Sequence, residues 1–70
     1  MTPFGDIIKN IEHYILYKQR VEITYQGTSG RMWQERGFIK DLFFQKGRKL
    51  ILLETGLPIE IDKIKLVKAI

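Results

Sequence analysis

The stretch Glu35-Arg36-Gly37-Phe38-Ile39-Lys40-Asp41-Leu42-Phe43-Phe44 decides how this chain can fold. It carries three of the four phenylalanines, follows the single tryptophan, Trp33, and has one glycine in its first half. Side chains alternate across a strand, so Phe38, Leu42 and Phe44 fall on one side and Ile39 and Phe43 on the other. A strand that is apolar on both faces beyond a glycine is read as long and bent. One part of it then lines a small barrel, while another part meets a neighbouring element.

Working outward, Lys46-Gly47-Arg48 reads as a tight turn, and Lys49–Thr55 as a third strand, apolar on both faces and therefore interior. Gly56-Leu57-Pro58 turns the chain, and Pro58–Ile61 forms a short fourth strand with Ile59 and Ile61 inward. Asp62-Lys63 is a one-turn connector, and Ile64–Val67 closes as a fifth strand. Upstream, Gly27-Thr28-Ser29-Gly30 is the most turn-like segment. Before it, Val21, Ile23 and Tyr25 alternate with Glu22 and Thr24 in a half-wet strand over Arg20–Gln26.

The N-terminal part changes period. Phe4, Ile7, Ile8, Ile11, Tyr14 and Ile15 recur at three- and four-residue steps, which predicts an amphipathic helix running to about Lys18. Thr2 suits its cap and Pro3 its first turn. Asp6 near the start and Lys18 and Arg20 near the end suit the helix dipole. Burying the four isoleucines would contribute roughly 6–12 kcal/mol before entropy is counted. That is a docked helix.

The chain, at 70 residues, is one small domain. It has no cysteine, which excludes disulfides and thiolate metal sites and makes an intracellular setting the default. Its apolar fraction of 44% is ordinary for a globular protein. The longest apolar run, Leu50–Leu53, is far short of a membrane span, and the N-terminus lacks the basic-then-apolar order of a signal peptide. A soluble cytoplasmic protein is expected. The net charge of +4 permits anionic partners without requiring them, because the charge is spread along the chain.

The expected fold is α+β. A helix within residues 1–19 precedes a strongly bent, five-stranded antiparallel sheet over residues 20–70, forming a small SH3-like or Sm-like barrel whose closure would remove exposed sheet edges. The run Val21-Glu22-Ile23-Thr24-Tyr25, with Gly37-Phe38-Ile39, Lys49–Leu53 and Ile59-Glu60-Ile61-Asp62-Lys63-Ile64, resembles bacterial Sm-like barrels. It is similar to the YolD-like family and to the Rho-binding antiterminator family, whose members also place a helix before a barrel. The resemblance implies non-enzymatic accessory work beside DNA-damage polymerases or a transcription termination factor. The chain departs from RNA-binding Sm proteins where their loop signature would fall, since Ile59-Glu60-Ile61-Asp62 is acidic. WYL sensor domains share a strand-rich core, but Lys49-Leu50-Ile51 stands where the Trp-Tyr-Leu run would be.

No catalytic set assembles from the residues. His13, the only histidine, has no evident ligand or triad partner. Ser29 sits in turn chemistry, and the glycines around it lack the Lys-Ser/Thr and helix of a phosphate loop. Glu60 and Asp62, read as sharing one side of a strand, stand beside Lys63 and Lys65, which favours a solvated ion-pair face over a cation site. No enzyme, cofactor or metal is expected.

Two surface features remain. Surplus large apolar groups point to a protein partner or self-association, with Tyr17, Trp33, Arg36 and Phe43 as anchors. The runner-up is direct nucleic-acid binding through Arg31, Arg36, Lys46, Arg48 and Lys49. A third reading is a small-ligand sensor of the WYL kind, using the barrel mouth.

Overall fold

The computed structural model describes residues 3–70, with side chains from Ile7 onward. The expected cap Thr2 and the side chains of Phe4 and Asp6 lie outside the described residues. Helix α1 spans Pro3–Leu16, followed by β1 (Arg20–Gln26), β2 (Met32–Gln45), β3 (Arg48–Leu53) and β4 (Pro58–Glu60). A single 3-10 turn, Ile61–Lys63, leads into β5 (Ile64–Ala69). The sheet is antiparallel throughout, in the order β4-β3-β2-β1-β5. The class is α+β.

β2 changes partner along its length. Residues 32–38 pair with β1, and residues from Ile39 to Gln45 pair with β3. Gly37, with φ of 152°, stands beside this handover, and the register shifts between Ile39 and Asp41. The shift has a consequence for the pattern. Ile39 faces Leu53 and Leu42 faces Ile51, so these residues share the core side although they are three apart. Strict alternation had joined Leu42 with Phe38 and Phe44. Instead Phe38 is turned outward, and Phe44 lies at the far tip, 70% exposed, with the Lys49 ammonium 5.0 Å from its ring centroid.

Among the described residues nine form the core: Ile11, Val21, Ile23, Ile39, Ile51, Leu53, Ile59, Ile61 and Ile64. α1 supplies Ile11, with Ile7, Ile8, Tyr14 and Ile15 packed around it, and lies against β2, β5 and the 3-10 turn. The helix stops at Leu16, two residues before the sequence pattern suggested. Lys18 adopts a left-handed conformation with φ of 50°, and its amide and that of Gln19 bond back to Ile15 and Tyr14. Lys18 and Arg20 therefore lie beyond the helix, and His13 is the basic residue of its last turn.

Closure of the sheet is not made by backbone pairing. β4 and β5 are its two end strands, and among the described residues no ladder joins them. Two edges stay open, and they differ. β4 is three residues long and starts at Pro58, whereas β5 is six residues long.

Candidate binding surface

Antiparallel partners share a face, so the register of β2, β1 and β5 defines the outer surface of that half of the sheet. One row is Gln34–Thr24–Leu66, and the next is Arg36–Glu22–Lys68. The last is Phe38–Arg20–Ile70, fixed on one side by the Ile70 amide donating to the Arg20 carbonyl at 3.0 Å. Leu66, at 52% exposure, Ile70 and Phe38 are large apolar groups open to solvent at three corners of this surface.

Its centre is a carboxylate. Glu22 is only 7% exposed although it points away from the core, because cations from both neighbouring strands cover it. Arg36 Nε donates to Oε2 at 2.8 Å, and Lys68 Nζ stands 3.5 Å from Oε1. The Arg36 hydrogen bond, helped by Lys68, holds the Glu22 carboxyl below its usual range against the opposing effect of burial. The result is a face with an internally paired centre and apolar corners. Such a face loses little charge solvation when another surface covers it.

The sequence-derived anchors do not form one cluster. Arg36 belongs to this face. Tyr17 lies past the end of α1, exposed, with its ring 4.5 Å from that of His13. Phe43 is half-buried on the β3-paired part of β2, opposite Leu50. Trp33 is 46% exposed near the β1–β2 turn, with the Arg31 guanidinium 5.6 Å from its ring centroid.

The five candidate phosphate contacts are likewise divided among three places. Arg31 lies on Trp33, and Arg36 is bound to Glu22. Lys46, Arg48 and Lys49 lie at the β2–β3 turn, where Arg48 Nη1 donates to Glu60 Oε1 at 2.6 Å. Glu60 thus pairs with Arg48 rather than with Lys63 or Lys65. Asp62 belongs to the 3-10 turn, so it does not share a strand face with Glu60. The hydrogen bond from Arg48 raises the proton affinity of its guanidinium.

A cleft of about 430 Å³ opens between the end of α1 and the bend of β2, lined by Ile15, Phe38 and Ile39 with Lys18, Lys40 and Glu54 at its rim. None of the candidate residues named from the sequence lines it. No described helix is long and apolar enough to cross a membrane. The chain matches no known family model, no curated protein and no solved structure.

Leu66, Ile70 and Phe38 escaped the sequence reading. The adjacent pair Leu66-Val67 held the one available signal, since neighbours on a strand face opposite sides and one of them must point out.

Proposed function

We propose that this chain is a small non-enzymatic accessory module, of the SH3-like or Sm-like kind, that acts by docking a protein partner or another copy of itself through the outer face of β2, β1 and β5. One observation carries the reading: exposed Leu66, Ile70 and Phe38 surround the Arg36–Glu22–Lys68 set beside an open sheet edge. Surfaces of this kind combine apolar contact with charges that are already neutralised. The test compares the native chain with Leu66→Asp and Ile70→Asp variants. Sedimentation velocity at micromolar concentration reads self-association, and affinity capture followed by mass spectrometry reads partners. Loss of assembly or of a captured partner in the variants is expected. Equal behaviour of native and variant chains sinks the reading.

Direct nucleic-acid binding is the second reading, supported by the Arg31 guanidinium lying over the exposed Trp33 ring. A salt-dependent shift of a labelled single-stranded oligonucleotide that is lost in Arg31→Ala and Trp33→Ala would bring it to the front.

A further inference from the structure

We infer that β5 accepts an added strand from an acidic, extended segment of a different protein, an inference that rests on the docking face proposed above. The hydrogen-bond phase of β5 carries it. The Ile70 amide donates to Arg20, so Arg20 and Ile70 are a hydrogen-bonded pair. Alternation then turns the N–H and C=O groups of Lys68 and Leu66 toward β1, and those of Val67 and Ala69 away from the sheet. Two donors and two acceptors stand in line along an edge that no strand among the described residues covers. An extended peptide satisfies all four, as in other strand-addition complexes.

The other edge is a poor alternative. The Leu53 amide donates to Leu57, so along β4 the groups of Ile59 face β3 and those of Pro58 and Glu60 face outward. Pro58 has no N–H to offer, which leaves Glu60 as the sole outward donor of that strand.

Charge selects the occupant. From Lys63 to Ile70 the chain has three lysines and no acidic side chain. The nearest carboxylate on the outer face, Glu22, is already paired. A second copy of β5 laid antiparallel along the first, with Val67 opposite Ala69, would set Lys68 against its own equivalent, and like charges on facing strands are destabilising. An acidic extended strand meets Lys68 on the outer face, between Leu66 and Ile70, and Lys65 on the opposite side.

The test uses a fluorescein-labelled peptide of alternating glutamate and valine, its lysine-valine counterpart, and two forms N-methylated either on every glutamate or on every valine. In an extended peptide these two sets of amides point to opposite edges. The glutamate peptide is expected to bind and to shift the Val67 and Ala69 amide resonances. One N-methylated form should bind like the parent, and the other should be weaker by about tenfold or more, since it loses several hydrogen bonds. The lysine peptide should not bind. Ala69→Pro, which removes an outward N–H without touching the β1 ladder, should weaken binding while Trp33 fluorescence stays native.

Several results would overturn the inference. Equal binding of both N-methylated forms, with loss in Leu66→Asp, keeps the docking face and refutes strand addition. No binding of the glutamate peptide refutes it too, while the sedimentation and capture comparison still decides the docking face. Movement of the same two amides with protein concentration alone, or on adding an oligonucleotide, reassigns the edge to a second copy or to nucleic acid.

Discussion

The indole of Trp33 lies so close over Gly27 that a Cβ built on the glycine would sit 2.6 Å from Nε1 and 2.9 Å from Cδ1. A side chain that is nearly half exposed is thereby seated in one place, with Arg31 near its ring. Gly27→Ala must push the ring off the turn. Because Trp33 can swing toward solvent, the expected cost is modest, about 1 kcal/mol. Trp33 is the only tryptophan, so its emission reports the displacement directly. A red-shifted spectrum with a lower urea midpoint is expected, and an unchanged spectrum would contradict the seat.

Glu22 predicts a pH dependence with a defined sign. Its carboxyl is held below its ordinary value in the folded chain by Arg36 and Lys68. The group therefore adds stability above its unfolded pKa, about 4.3 for glutamate, and that contribution is lost as pH falls through the lower folded value. Glu22→Gln removes the effect. Urea midpoints of the native chain and the variant, measured from pH 7 downward, should differ most at neutral pH and converge in acid. A gap that widened in acid would reverse the sign and refute the ion-paired assignment.

Ile51 probes the core. It is fully buried on β3 between Leu42 of β2 and Ile59 of β4. Ile51→Val should cost about 1 kcal/mol and Ile51→Ala about 2–5 kcal/mol. A domain this small holds only a few kcal/mol in reserve, so the alanine variant is expected to be largely unfolded at room temperature. Circular dichroism and denaturant titration read both. A stable alanine variant would mean that the half of the sheet around Ile51 is dispensable.

The β2–β3 turn makes the opposite kind of prediction. Lys46 and Gly47 both have positive φ, 51° and 76°, and Gln45 pairs with Arg48 across them. This is the two-residue hairpin geometry that prefers Asn-Gly. Lys46→Asn should be neutral or stabilising by about 0.5 kcal/mol while removing one positive charge. The same variant tests the nucleic-acid reading. If Lys46 touches phosphate, the salt dependence of oligonucleotide binding should become shallower by about one unit of slope. An unchanged slope would remove Lys46 from that reading.

Local chemistry was legible in the chain. The isoleucine spacing specified α1, alternation from Val21 to Tyr25 specified β1 to the residue, and the glycine- and proline-containing turns separated the remaining strands in the right order. These features depend on neighbours in sequence, and period alone carries them. The failures share a different cause. The helix was read two residues too long because Lys18, in its left-handed turn, continues a polar pattern that periodicity cannot distinguish from helix. Phe38 was grouped with Leu42 because strict alternation does not anticipate a register shift between Ile39 and Asp41, which arises only when β2 bends from β1 onto β3; Phe44 stays in phase with Leu42 and is exposed because it lies at the hairpin tip. A bend of that kind inverts which residues beyond it face the core.

The candidate surface was the least visible part. Tyr17, Trp33, Arg36 and Phe43 were plausible anchors one by one, yet only the pairing of β2, β1 and β5 places Arg36 beside Glu22 and Lys68 and leaves Leu66, Ile70 and Phe38 at their corners. Residues far apart in sequence, Glu22 and Arg36 by 14 and Glu22 and Lys68 by more, become neighbours only through strand pairing. Which edge is open was decided in the same way, since the N–H of Val67 faces outward only because Ile70 bonds to Arg20. Composition and periodicity thus determined that this chain is one helix and five strands with a small isoleucine-rich core. The tertiary structure alone decided which charges are paired, which apolar groups face solvent and which backbone groups of β5 turn outward, because each depends on register between distant strands.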